Sequence, residues 1–300
     1  MTVPPDARLV DVRHLGRERV IGCWDLGGVL VDPGPESCLE ALLAAVGSEP
    51  QALLLTHVHL DHAGAAGALV ERFPRLEVWV HARGAPHLAN PEKLVRSAER
   101  LYGDDMERLW GRVLPVPERN LRVLEGGESI AVLGRELEVV YTPGHASHHV
   151  VYLDQGDGTA YVGDVGGVRI PPAELILPPT PPPDIDLGAW ERSIELVEER
   201  APVRLALTHF GVVDDPVAHL QRMRDRLRGQ GDLARALLDE AGDDEQKGME
   251  AFVSEVRRRI RLATDAETAA VYEQAAPPDQ LWLGLRRYWQ KQQEATSQRA

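Results

Sequence analysis

Four apolar runs in this 300-residue sequence each stop on a histidine or an aspartate. LLLTHVHLDH runs into His57, His59, Asp61 and His62; EVVYTPGH reaches His145, TAYVGD reaches Asp164, and VRLALTHFG reaches His209. Apolar and β-branched runs closed by Gly, Pro or Asp read as strands. Strand ends gather along one edge of a sheet, where rigid elements hold reactive side chains accurately. The pattern therefore demands a sheet-rich α/β fold with an ionisable cluster at a sheet edge.

RLVDVRHL, RVIGCWDL, GVLVDPG, LEVWVHA and VVYLDQG supply the remaining strand signals between residue 8 and about residue 210. Helices are expected over Pro35–Val46, His62–Phe73, Pro91–Gly111 and Leu187–Arg200, the third as an insertion over one end of the sheet. Residues 171–184, PPAELILPPTPPPD, hold too many prolines for a helix or central strand, and read as an extended loop wrapping the domain. After about residue 216 the strand signals stop. Leu233 and Leu237, then Met249, Phe252, Val253, Val256 and Ile260, then Leu281, Leu285 and Tyr288 fall at helical spacing, and Thr264 with Glu267 reads as a capping box. The expected organisation is a catalytic domain over residues 1–215 and an all-helical C-terminal module over residues 216–300.

A formal charge of −14 and no basic stripe argue against nucleic-acid partners; Arg257, Arg258, Arg259 and Arg261 read as a solvated helix face. The opening MTVPPDARLVDV shows no leader pattern, and no run approaches the roughly 18 apolar residues that span a bilayer. A cytoplasmic protein without membrane partners is expected. Cys23 and Cys38 are too few for a disulfide scaffold and read as small buried hydrophobes.

His57 and His59 are two apart, so on an extended strand end they point the same way. Asp61 and His62 follow where the chain turns into a helix, which can aim them at the same point. Imidazole and carboxylate donors without cysteine suit zinc, iron or manganese rather than a thiolate structural site.

THVHLDH, TPGH, VGD and LTHFG, in this order and at these intervals, resemble the metallo-β-lactamase fold superfamily of metallo-hydrolases over roughly residues 8–215. The resemblance implies a four-layered αββα sandwich of two mixed sheets with helices outside. It implies two divalent metal ions, zinc first and manganese or iron as alternatives. His57, His59 and His145 would hold one ion, Asp61, His62 and His209 the second, and Asp164 would bridge them. Asp32, in VLVDPG, matches a strand-turn aspartate that supports the ligands from behind. His149 matches a histidine following TPGH, with pocket, core and surface roles all open.

Such a pair of ions, roughly 3.5 Å apart, can generate a hydroxide near neutral pH and stabilise an oxyanion. Asp61 is then the catalytic residue that steadies the hydroxide and carries a proton to the leaving group. The expected reaction is hydrolysis of a small ester, thioester or lactone. GDVGGVRI lacks the tyrosine that similar lactonases carry there, while the helical tail resembles that of glyoxalase-II-like thioesterases. The alternative is a sulfur (persulfide) dioxygenase with one iron on His57, His59 and His145; a phosphodiesterase or nuclease is disfavoured by the acidic charge. Trp282, Leu285, Tyr288 and Trp289 form an apolar tail face, which either packs on the chain itself or joins a homo-oligomer. Residues 85–115 and the proline-rich loop are expected to wall the pocket, with His81 and His87 unassigned.

Overall fold

In the computed structural model, which describes residues 7–242 and 244–297, the apolar runs pair into two six-stranded sheets. The first consists, in order, of β1 (Arg8–Asp11), β2 (Gly22–Asp25), β3 (Val29–Val31), β4 (Ala52–Leu54), β5 (Glu77–His81) and β6 (Leu121–Leu124). The second contains β7 (Ser129–Val132), β8 (Arg135–Tyr141), β9 (Val150–Asp154), β10 (Thr159–Tyr161), β11 (Arg204–Leu207) and β12 (Gly211–Val213), laid side by side in reverse order from β12 to β7. Both sheets are mixed: β3 to β6 run parallel after an antiparallel β1–β3 meander, and a parallel β10–β11 pair sits among antiparallel neighbours.

Side-chain alternation sorts the residues into layers. Trp24, Val29, Val31 and Leu54 of the first sheet meet Leu137, Val139, Tyr152 and Tyr161 of the second in one buried cluster between the sheets. Their strand neighbours Leu30, Leu53, Val151 and Leu205 point the other way, into a larger cluster covered by helices. Because both faces of the central strands are buried, they read as continuous apolar runs. The result is the four-layered αββα sandwich expected above. Cys23 and Cys38 are buried and unpaired, in keeping with a packing role.

The helices are α1 (Leu39–Val46), α2 (Leu60–Ala63), α3 (Ala66–Arg72), α4 (Ala85–Ala89), α5 (Glu92–Tyr102), α6 (Met106–Trp110), α7 (Leu187–Glu199), α8 (Pro216–Ala241), α9 (Glu245–Ala263), α10 (Ala266–Ala275) and α11 (Pro278–Ser297). Four of them, α7 to α10, begin on an aspartate (Asp186, Asp215, Asp244 and Asp265) whose carboxylate accepts the amide three residues on. Each cap satisfies an otherwise orphaned donor and places negative charge at the positive helix end.

Several sequence expectations need correction. Thr264 is not the cap of α10: its hydroxyl turns back to the Ile260 carbonyl at 2.8 Å, and Asp265 caps instead. The helix expected over His62–Phe73 is two, α2 and α3, and the one expected over Pro91–Gly111 breaks at Gly103, whose φ is +51°. Gly67 stands where the chain passes close to α3. A Cβ there would lie 2.0 Å from the Leu114 carbonyl oxygen, so it is the 111–117 segment that needs the space. RLVDVRHL stops at Asp11, because Arg13 and Leu15 take positive φ and turn the chain through a 3₁₀ element at His14–Gly16. Strands β6, β7 and β12 were without a clear sequence signal: they are only three or four residues long, and Val123, Ala131 and Val212 put apolar side chains at exposed positions, which blurs the alternation.

The tail does not stand apart. Leu220, Met223 and Leu227 of α8 are fully buried in the same cluster as Trp190 and Ile194 of α7. Trp282 and Leu285 are buried too, Trp282 against Phe252 with ring centroids 5.5 Å apart. Trp289 donates its indole N–H to the Gly231 carbonyl at 3.0 Å, so this apolar face is used within the chain. The proline-rich loop is clamped between the two parts: Gln230 donates to the Pro178 carbonyl at 3.0 Å and Thr180 donates to the Leu281 carbonyl at 3.1 Å. Among the described residues no helix is long and apolar enough to cross a membrane. Residues 1–6, part of the stretch read for a leader, lie outside the described residues.

Candidate metal centre and its cavity

The four strand-end segments converge as the sequence demands. His57 to His62 follow β4 into α2, His145 lies between β8 and β9, Asp164 sits in a 3₁₀ turn after β10, and His209 joins β11 to β12. Three overlapping groups of ligand atoms result, each within 4.8 Å: His57, His59 and His145; His57, His62 and Asp164; Asp61, His62 and His209. All seven residues singled out in the sequence are thus in one place.

The hydrogen bonds behind the rings fix which nitrogen carries a proton. His145 Nδ1 lies 2.8 Å from the Pro179 carbonyl and His209 Nδ1 lies 2.6 Å from the Val20 carbonyl. A carbonyl only accepts, so both Nδ1 atoms donate and both Nε2 atoms are left with lone pairs in the neutral ring. His62 Nδ1 likewise donates to Asp32 Oδ2 at 2.7 Å. Thr56 spends its hydroxyl proton on the same oxygen at 2.7 Å, so His57 Nδ1, 3.1 Å from that hydroxyl, is the donor of its pair. Four imidazoles are therefore oriented with Nε2 inward.

Those inward atoms have little to bond with. His57 Nε2 and His145 Nε2 each lie 2.9 Å from His59 Nδ1. His62 Nε2, His209 Nε2 and Asp164 Oδ1 are buried without a hydrogen-bond partner among the described residues. His62 Nε2 is 3.2 Å from Asp164 Oδ1, His209 Nε2 is 3.5 Å from the same atom, and His145 Nε2 is 3.2 Å from Asp164 Oδ2. Lone pairs facing carboxylate oxygens at this range repel unless positive charge stands between them. The donor set thus fits divalent cations.

Titration reflects the same imbalance. Burial, reinforced by neighbouring imidazoles, holds His57 well below the ordinary histidine range and pushes His59 down to about 4. Burial also disfavours charge on His62, but the Asp164, Asp32 and Asp61 carboxylates outweigh it and hold this ring well above that range. Asp164 would be raised by its burial, yet His145, His62 and His209 keep it well below the carboxylate range.

Asp32 is the hub behind the cluster. Fully buried and at φ +52°, it accepts from the Thr56 amide at 2.8 Å, from His62, and from the hydroxyls of Thr56 and Thr208. Thr56 and Thr208 were not singled out in the sequence, though a signal was present: Leu-Thr-His occurs at 55–57 and again at 207–209. His149 does not face the pocket. It is fully buried, stacked on His57 with centroids 5.1 Å apart and tied to Thr142 at 2.9 Å. His148, also unforeseen, lies behind the same rings, accepting from the Val58 amide at 3.4 Å. His81 stacks on Tyr141 at 4.4 Å, outside the cluster.

A cavity of about 390 Å³ opens over this centre, with His59, Asp61, Asp164 and His209 on its floor. One wall comes from α5 and α6, with Leu94, Tyr102 and Trp110, and another from the proline-rich loop between Pro179 and Pro183. The tail closes the third side with Gln274 to Pro277, Gln280 and Leu281, and Tyr102 donates across the gap to Gln280 at 3.2 Å. The contribution of the tail was not visible in the sequence, because no motif marks it.

A sequence profile described as the metallo-beta-lactamase superfamily matches residues 25–211. Among curated proteins, the metallo-beta-lactamase fold-containing protein ST1585 of Sulfurisphaera tokodaii is 29% identical over 176 residues, 57% of this chain and 65% of its own length. A hydroxyacylglutathione hydrolase of Aeromonas hydrophila is 32% identical over 136 residues, 45% of this chain and 41% of its own. The chain thus spans less than two thirds of the length of either relative. Two solved structures share the fold: the archaeal superfamily protein ST1585 from Sulfolobus tokodaii, with TM-score 0.69, 21% identity and 93% and 98% of the two chains covered, and a family protein from Thermus thermophilus, with TM-score 0.65, 20% identity and 96% and 94% covered.

Proposed function

Because the chain belongs to the metallo-beta-lactamase superfamily, its matched segment covering residues 25–211 of 300, we propose that it is a metallo-hydrolase with a dinuclear centre, cleaving a small ester, thioester or lactone. His57, His59 and His145 would hold one cation, Asp61, His62 and His209 would hold the other, and Asp164 would serve both. The observation that carries this reading is the set of inward Nε2 atoms of His62 and His209 facing Asp164 Oδ1, buried and without partners. A mononuclear iron dioxygenase using His57, His59 and His145 would leave those three atoms uncompensated, and the hydrolase is preferred on that ground.

Bound divalent cations would supply Lewis acidity and an activated water. The chain's own residues do the rest. Asp32, Val20 and Pro179 hold the imidazoles rigidly, so little reorganisation accompanies the reaction. The Asp61 side chain, 24% exposed on the cavity floor with Oδ2 3.5 Å from His209 Nε2, is the carboxylate placed to accept a proton from water. The water oxygen bonds to the carbonyl carbon, the C–O or C–S bond breaks, and Asp61 returns the proton to the departing alkoxide or thiolate. The α5–α6 segment and the proline loop wall the cavity over the centre.

Elemental mass spectrometry on untagged protein, followed by ester, thioester and lactone panels, tests this reading. About two zinc or manganese ions per chain and turnover on at least one panel are expected. One iron per chain with oxygen uptake on glutathione persulfide, or fully loaded protein inert on every panel, overturns it.

A further inference from the structure

The cavity over the centre has polar atoms on its walls but little that carries positive charge: His14 lines it, yet burial pushes its pKa down, its Nε2 donates to the Leu109 carbonyl at 2.9 Å and its Nδ1 faces Gln274 at 3.3 Å. Among the described residues its lining includes no lysine and no arginine. Neutral groups provide what polarity there is: Ser97, Gln274, the Tyr102–Gln280 hydrogen bond, and the Trp110 indole N–H, which is buried and lacks an acceptor among the described residues. Leu94, Leu101, Leu109 and Leu281 supply apolar surface between them. The one acidic residue at the rim, Asp105, is already paired with Arg108 at 2.9 Å. Near the proline loop, Arg287 and Lys291 donate to the Pro183 carbonyl at 3.2 and 3.3 Å and are not part of the lining.

An anionic group held against these walls, away from the floor where the cations would sit, would lose its hydration without gaining a counter-charge, and the chain's net charge of −14 opposes it at longer range. An uncharged hydrocarbon or aryl group loses nothing comparable and gains contact with leucine, proline and aromatic surface. We infer that the substrate of this centre carries an uncharged, apolar acyl or leaving group, and that the cavity discriminates against substituents bearing remote carboxylates, including those of glutathione thioesters. The inference rests on the hydrolase reading for the bond that is cut, but not for what the cavity admits. It concerns the part of the substrate beyond the reach of the His57–His209 cluster, where bound cations would hold the carbonyl itself.

The selection is readable with matched probes on the full chain loaded with zinc or manganese. The p-nitrophenyl esters of hexanoic acid and of adipic acid differ only in a terminal carboxylate. A kcat/KM preference of about tenfold or more for the hexanoate is expected, with S-lactoylglutathione below both. Ser97→Arg, on the half-buried face of α5, places a cation in the wall and should narrow or invert that ratio. Calorimetric titration with the non-hydrolysable pair hexananilide and adipic acid monoanilide reads the same preference without turnover. Equal or better use of the adipate ester, or equal or tighter binding of the anionic anilide, overturns the inference while leaving hydrolysis standing. If neither ester is cleaved but hexananilide binds about tenfold more tightly, the cavity inference holds and the hydrolase reading alone falls.

Discussion

Asp32 and His62, thirty positions apart, share a 2.7 Å hydrogen bond in which both side chains are completely buried. That bond decides the chemistry of His62: with Nδ1 donating to Asp32, Nε2 keeps its lone pair for the centre. Asp32→Asn preserves the shape but replaces the acceptor Oδ2, which serves His62, Thr56 and Thr208, with either a donor or a single contested oxygen. The threonine hydroxyls can rotate; His62 can respond only by moving its proton to Nε2. Metal content should drop from about two ions per chain toward one, with affinity at the His62 side weakened about 10- to 100-fold. Elemental analysis, with histidine tautomers read from nitrogen NMR shifts, checks it, and an unchanged pair of ions would show that Asp32 does not set the tautomer.

Asp164→Ala removes the carboxylate that three imidazoles face. The sheet cores do not contain this side chain, so folding should survive, but with a lowered melting temperature, because the bound cations and the counter-charge to His62 are lost together. Metal occupancy should fall below one ion per chain, and hydrolysis should drop by about 10³-fold or more. Circular dichroism together with elemental analysis and turnover on the best ester separates loss of the centre from loss of the fold. Near-normal turnover would contradict the bridging assignment.

Much of this centre was legible in the sequence because its residues lie at the ends of strongly apolar runs. THVHLDH and LTHFG announce both strand and ligand in a few letters, so fold and candidate ligands could be read together. What was hidden depends on contacts between distant segments. Nothing local in Val20 or Pro179 shows that their carbonyls orient His209 and His145. The burial of His149 behind His57 follows from the packing of the two sheets. The edge strands β6 and β7 gave weak patterns because apolar Val123 and Ala131 stand at exposed positions in these short segments.

Removal of residues 216–300 should destroy the protein rather than trim it. Leu220, Met223 and Leu227 are fully buried against the helix that carries Trp190, and their loss would expose that face to water. The tail also supplies one cavity wall. The truncated chain is expected to be insoluble or to bind hydrophobic dyes, with no hydrolysis. Leu227→Ala in the full chain, a milder change, should cost about 2–5 kcal/mol in denaturant titrations. A soluble, cooperative and active 1–215 fragment would show instead that the tail is an independent module.

His219 links the tail to the catalytic sheet and makes that link sensitive to acid. Its Nε2 donates to the Gly166 carbonyl at 2.7 Å, two residues beyond Asp164, while Nδ1 is buried without a partner among the described residues. Burial is the largest influence on the ring and pushes its pKa down to about 4, against an ordinary value of 6.5. The folded chain therefore holds His219 neutral where the unfolded chain has begun to bind a proton. Its contribution to stability is complete above about pH 6.5 and is lost as pH falls toward 4, reaching about 2–3 kcal/mol at the lower end. His219→Gln retains a donor for the Gly166 carbonyl but cannot titrate, and every other ionisable group is common to the two proteins. Urea titrations at pH 7 and pH 4.5 should show the stability gap between wild type and variant moving in favour of the variant by that amount. An unchanged gap would mean that His219 is accommodated in its charged form and that acid acts on the fold through other groups.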